Sequence, residues 1–248
     1  MKSGFIVATA VFLLVSGAAS AAEIKVLASG ATKEIINEIL PAFENDSGHK
    51  VAITFTGTAN IKKHIAAGET YDLVIVGAPV IDAFAQQGKI ASGTRTDLMK
   101  SGVGVAVRAG ASKPDIGSSE ALKKTLLAAK SIGYSSGPSG DHMLNLVERM
   151  GIADQVKSKM KQVPSGSRIS TMIESGEAEI GFQQISELIH EKGIDYLGPL
   201  PSELQKITVF SAGLHTGAKE PEAAKALVKA LTAPNAATVI KAYGMEPG

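Results

Sequence analysis

Residues 26–36 read VLASGATKEII, and the parsing of this stretch decides the fold. Glu23–Ala28 is apolar enough for a covered strand, Ser29-Gly30-Ala31 is a turn of small residues, and Thr32–Asn45 has the pattern of an amphipathic helix. A strand that passes straight into a helix is the first half of a β–α unit. At such a junction the first N–H groups of the helix lack intrahelical partners, and Ser29 and Thr32 place hydroxyls beside them.

The same alternation continues outward from this unit. Strand-like runs are expected at 51–56, 73–76, 102–108, 131–134, 180–183, 195–198 and 207–214. Helix-like runs are expected at 59–67, 81–87, 119–129, 140–150, 168–175, 185–192, 220–231 and 234–242. Several strands are apolar throughout, as parallel strands covered on both faces are. Gly68, Gly88, Gly151 and Gly193 each follow a helix end. The fold class is therefore α/β. The long β-rich runs 102–108 and 207–214 bracket the central third of the chain. They divide it into a first lobe, 22–104 plus 209–248, and a second, 105–208, although a single large sheet would give a similar pattern.

Met1-Lys2, an apolar run from Phe5 to Val15 and the A-x-A site Ala19-Ser20-Ala21 read as a secretory signal peptide over 1–21, so the mature chain is expected to be exported. With no Cys, disulfides, thiol nucleophiles and thiolate metal sites are excluded together. The 25 basic residues (Lys2 in the leader) face 24 acidic ones, a balance that argues against nucleic acid or a membrane surface as partner. No H-x-x-x-H spacing, P-loop, G-x-S-x-G or complete G-x-G-x-x-G turn is present, so no metal or cofactor is expected.

Four places share the grammar of the opening stretch: Ser29-Gly30, Thr56-Gly57-Thr58, Ser135–Gly140 and Pro164–Ser167, each preceding a helix-like run. Helix N-termini with hydroxyls and free N–H groups favour anions without a charged side chain. The plainer reading is that Ser and Thr cap helices and Gly makes turns. Arg168, first in its helix, is a candidate clamp for a carboxylate, or a solvated helix-start residue. His142 is a candidate proton carrier, or an ordinary helix residue. Gln183-Gln184 ends an apolar strand and should turn at least one amide into a cavity there.

Five stretches together resemble the periplasmic molybdate-binding type of ABC-transporter solute-binding protein. They are VLASGATKEI (26–35), FTGTANIKKHIAAGETYDLVIV (55–76), GPSGDHMLNLVERMGI (137–152), SRISTMIESGEAEIGF (167–182) and AAKALVKALTAPNAATVIKAYGM (223–245). The resemblance implies a two-lobed type 2 periplasmic-binding fold, each lobe a mixed sheet flanked by helices. It also implies a monomer in the periplasm, a small anion in the interlobe cleft, and a membrane permease as partner. Carried over by position, it places the anion against Ser29 and Thr58 on one lobe. On the other it places the backbone at Ser139 and Ser167, with Gln184 completing the pocket. The family usually has Tyr where this chain has Gln184 and a small apolar residue where it has Ser139. Those departures imply a roomier, more polar pocket, which fits an organic (poly)carboxylate held by Arg168 at least as well as a small oxyanion such as molybdate or tungstate. The wider family also includes aconitate isomerase, an enzyme on the binding-protein scaffold, for which His142 would be the candidate acid/base.

Overall fold

The computed structural model describes residues 21–248. The leader expected over 1–21 lies outside the described residues, apart from Ala21. The chain opens with β1 (Glu23–Ser29), a 3-10 turn over Gly30–Thr32, and α1 (Lys33–Ser47). It continues through β2 (Lys50–Thr56), α2 (Thr58–Ala66), β3 (Leu73–Gly77), α3 (Ala78–Gln86) and β4 (Thr96–Ser101). Then follow β5 (Val103–Arg108), α4 (Ser119–Ala128), β6 (Ile132–Tyr134), α5 (Pro138–Arg149), α6 (Ala153–Val156), β7 (Met160–Gln162), α7 (Ile169–Glu174), β8 (Ile180–Gln184) and β9 (Ile194–Pro199). The last elements are β10 (Thr208–Leu214), α8 (Pro221–Leu231), α9 (Pro234–Ala242) and β11 (Glu246–Pro247).

These strands form two mixed sheets. One has six strands in the order β11-β4-β10-β3-β1-β2, the other five in the order β7-β6-β8-β5-β9. In the first, β1 runs parallel to β2 and β3, and β10 is antiparallel to β3 and β4. In the second, β6 is parallel to β7 and β8, and β5 is antiparallel to β8 and β9. The chain leaves the six-stranded sheet at Ser101, enters the other at Val103, and returns between Pro199 and Thr208. The Gln205 amide ties the two connections together, accepting from Val103 N (2.7 Å) and donating to Val103 O (3.0 Å).

The continuous apolar runs are explained by helices on both faces. In the six-stranded sheet Val26, Ala28, Leu73 and Ile75 pack under α1, α8 and α9. Their neighbours Leu27, Val74 and Val76 point the other way, onto Ile61 and Ile65 of α2 and Ile81 and Phe84 of α3. Alternate residues of one strand thus serve two cores. The five-stranded sheet repeats this, with Val105 and Phe182 facing Leu122, Leu126 and Leu146, and Ala106 facing Ile169 and Ile173. Asp72, at the foot of β3, is buried and accepts from Lys25 N (2.7 Å), Lys219 N (2.7 Å) and Glu220 N (2.9 Å). Asp72, immediately before this strand, therefore splices the start of α8 to β1.

Two local expectations change. The strand β4 was not legible, because Asp97 and Lys100 interrupt its alternation. Asp97 is committed to Arg95 and to Ser211 Oγ (2.6 Å) of the neighbouring strand. The helix expected at 185–192 is reduced to a 3-10 turn over Ile185–Glu187. Tertiary contacts take the place of its ladder: Ser186 Oγ donates to Ala31 O (2.7 Å), and the His190 ring bonds the Ala242 carbonyl (3.0 Å).

Candidate functional site

The parallel strands β1, β2 and β6 end where helices or turns begin, and β8 ends beside them. Their carboxyl ends converge on one cavity between the sheets. It is lined by Ser29–Ala31 and Thr56–Thr58 from the six-stranded side, Ser135–Ser139 and Gly166-Ser167 from the five-stranded side, and Gln183, Gln184, Glu187 and Phe210. Open α/β sheets take their ligands at this edge. The cavity holds about 40 Å³, enough for roughly three waters by the usual measure of space per water. A groove of about 700 Å³ shares Thr58, Ser136, Gly137 and Pro138 with it and is lined further by Lys62, Asp82, Arg95, Asp141 and Lys206.

The two sides are in contact around the cavity. A Cβ added to Gly57 would lie 2.4 Å from Ser165 Oγ and 2.7 Å from Gly166 N, so only glycine permits this approach. Asn60 Nδ2 donates to Thr56 Oγ1 (3.0 Å) and to Ser165 O (3.3 Å), linking the two sides. The guanidinium of Arg168 bonds Glu34 of α1 and also Glu191.

Of the residues singled out in the sequence, Ser29, Thr58, Ser139, Ser167 and Gln184 all line the cavity. Ser29 and Thr58 have no side-chain hydrogen bond to protein among the described residues, so both hydroxyls can turn to a ligand. Ser139 differs: its Oγ is bonded to Ser135 Oγ (2.8 Å), and Ser135 Oγ also accepts from Gly137 N (3.2 Å) and Gly140 N (3.1 Å). The α5 N-terminus is thus partly capped from inside. Ser167 N donates to Pro164 O (2.9 Å), so that N–H is engaged within its own turn. Gln184 Nε2 bonds Thr208 Oγ1 (3.1 Å), and its Oε1 is buried without a partner, as is Ser165 Oγ. A hydroxyl can donate or accept, so Gln184 is free to present either end of its amide to the cavity.

Two expectations are corrected by position. Arg168 does not line the cavity; its guanidinium is committed to Glu34 and Glu191, a bridge between the sides of the cleft. His142 is also outside it, on the face of α5 that packs into the protein. Its Nε2 bonds the Leu204 carbonyl (2.7 Å), and burial holds its pKa below the usual value, so the ring is a neutral structural group.

The ionisable side chain that does line the cavity is Glu187. It follows β8 by three residues and approaches Gly30, whose Cβ would lie 3.5 Å from its Oε1. Gln183 Oε1 accepts from Ile169 N (2.7 Å), which turns the amide NH2 of Gln183 toward the Glu187 carboxyl. Burial pushes that carboxyl up to about 7, against the opposing effects of Arg168 and the Gln183 hydrogen bond. Its position was hidden in the sequence because a helix at 185–192 would have put it on a solvated face. Among the described residues no three His, Asp or Glu side chains gather as a metal site would.

Two mixed α/β sheets flanked by helices, with a hydroxyl-lined cavity between them, define the type 2 periplasmic-binding class. Residues 24–246 match the bacterial extracellular solute-binding proteins, and the chain belongs to that family. It is 34% identical to an aconitate isomerase of a Pseudomonas species over 228 residues, 90% of this chain and 87% of the relative. It is 28% identical to the molybdate-binding protein ModA of Azotobacter vinelandii, over 93% of this chain and 92% of the relative. The solved periplasmic molybdate-binding protein of Azotobacter vinelandii superposes with a TM-score of 0.77 at 19% identity, covering 91% of this chain and 99% of that one.

Proposed function

We propose that this protein binds a small organic acid anion in the cleft between its sheets and delivers it, in the periplasm, to a membrane permease. The lobes of this reading are 22–104 with 209–248, and 105–208, closing on the ligand. What carries it is the convergence of the free Ser29 and Thr58 hydroxyls and the α2 and α5 N-termini on a cavity that, among the described residues, no cationic side chain lines. Such a cradle neutralises an anion by oriented donors and helix dipoles. The 40 Å³ cavity takes one carboxylate head, and the groove bearing Lys62 and Lys206 takes the remainder of a larger acid. Thermal shift with molybdate, tungstate, sulfate, citrate and the two aconitate isomers tests this. The carboxylates should raise the melting temperature more than molybdate at equal concentration. Selective stabilisation by molybdate would transfer the assignment to a metal oxyanion, and no shift with any of them would end the anion reading.

A second reading has its own support: the 34% identical relative is named an aconitate isomerase, and one titratable carboxyl faces the cavity. In a proton shift along an allylic tricarboxylate, a base takes a proton from the saturated carbon and the double bond moves. The proton is then returned at the far end, with no net change in atoms or charge. A carboxyl poised near neutral pH suits both halves of that exchange. Interconversion of cis- and trans-aconitate by the purified protein, with deuterium entering from D2O, would establish it. Tight binding of either isomer without turnover leaves the transport reading alone.

A further inference from the structure

We infer that the site binds its anion together with one proton, shared between the anion and the carboxyl of Glu187. This rests on the anion-binding reading and deepens it. The geometry makes the demand. Among the described residues Glu187 is the one ionisable side chain lining the 40 Å³ cavity, and no cationic side chain lines it. An anion seated there with Glu187 ionised would put two like charges side by side with no cation from the lining between them, and such a pair does not stay fully ionised.

The groups packed around Glu187 leave protonation as the remedy. From β8, Gln183 offers an amide NH2, held in that orientation by its own bond from Ile169 N. From the turn after β1, Gly30 offers only backbone, and a Cβ there would be in ordinary van der Waals contact with the carboxyl. From the start of α7, Arg168 is the nearest cation, yet its charge is divided between Glu34 and Glu191, and Glu191 also accepts from Ser170 Oγ (3.1 Å). Ser29, Thr58, Gln184 and the Ser135–Ser139 pair are uncharged. Burial already raises the Glu187 carboxyl to about 7, and a seated anion raises it further. The balance is simple: ionised Glu187, one proton from solvent and the anion give a protonated pair joined by one O–H···O bond, with no covalent change.

The test measures affinity by calorimetry from pH 6 to pH 9 for the wild type and Glu187→Gln, with trans-aconitate and molybdate as probes. Buffers of different ionisation enthalpy report the protons taken up. The wild type should take up close to one proton at pH 8. Its affinity should fall by a factor approaching tenfold per pH unit above 7, or about 50-fold between pH 7 and 9. Glu187→Gln, which mimics the protonated acid, should lose that slope and bind at pH 9 about as tightly as the wild type binds at pH 6. Comparing the two proteins cancels the ligand's own titration. Identical slopes would overturn the inference while leaving the anion site standing. If neither probe binds either protein, both readings fall together. The proton count of the wild type needs no variant and decides the matter even if Glu187→Gln does not fold.

Discussion

Gly57 offers a way to perturb closure of the cleft with little effect on either half. Its backbone, at φ −78° and ψ 159°, is open to any L-residue, so alanine introduces no backbone strain. The added methyl would instead meet Ser165 Oγ at 2.4 Å, Gly166 N at 2.7 Å and Ser165 C at 3.2 Å, all on the opposite side. The serine hydroxyl can rotate away, but the Gly166 backbone cannot, so the sides must part by several tenths of an ångström. That separation also stretches the Asn60–Ser165 hydrogen bond, already at 3.3 Å. Overpacking of this kind costs about 1–3 kcal/mol, and it falls on the closed state alone, which weakens ligand binding by about 5- to 150-fold. In the unliganded protein two small effects oppose each other: less unfolded-state entropy favours alanine, and a poorer N-cap for α2 disfavours it. Its melting temperature should therefore stay within a few degrees. Calorimetry of Gly57→Ala with the anion that best stabilises the wild type, beside small-angle scattering with and without it, is the assay. Wild-type affinity together with wild-type compaction would show that closure through Gly57 is not how the ligand is held.

Other outcomes follow from the same geometry. Ser29→Ala and Thr58→Ala should each weaken anion binding by about 1–3 kcal/mol, the cost of losing a hydrogen bond to a charged group, measured by titration calorimetry. Arg168→Ala should reduce affinity by no more than about tenfold, since partly exposed pairs contribute little. It should do so by the same factor for molybdate and for a tricarboxylate; a loss confined to carboxylates would restore Arg168 as a ligand clamp. His142→Ala should lower thermal stability while leaving anion affinity within about twofold, because it removes a buried ring and its Leu204 bond and touches no ligand. The pH profile has two signs. His142 and His215 are held neutral by burial, His215 also accepting from Gly217 N (3.1 Å), so stability drains away as pH falls below their ordinary value near 6.5. Glu187 acts oppositely: its raised carboxyl favours the native state below the ordinary value near 4.5, and that advantage is lost as pH rises through about 7. Unliganded Glu187→Gln should accordingly melt above the wild type at pH 8 and alongside it at pH 4.

By itself the sequence determined the α/β class and the strand–helix junctions that line the cavity. Those are consequences of local chemistry: apolar runs too dense for one face, small hydroxyl residues where strand gives way to helix, and glycine after several of the helices. Ser29 and Thr58 were legible because a hydroxyl at a strand–helix junction is placed by the chain immediately around it. The tertiary structure decided whatever depends on the opposite side of the cleft. Arg168 looks like an anion clamp in one dimension, and it becomes a bridge because Glu34, distant in sequence, reaches it first. His142 sits in a segment rich in ligand-like residues, and it is turned inward because its helix buries that face against Leu204. Ser139 loses its hydroxyl to Ser135, a partner on the same short turn whose rotamer no pattern reveals. Glu187 moved in the other direction, from an anonymous helix surface to the wall of the cavity, because Ser186 and Ala31 lock the turn that carries it against the other sheet. Charge and hydrogen-bonding capacity are properties of a residue, but which partner consumes them is settled only when the two sheets meet.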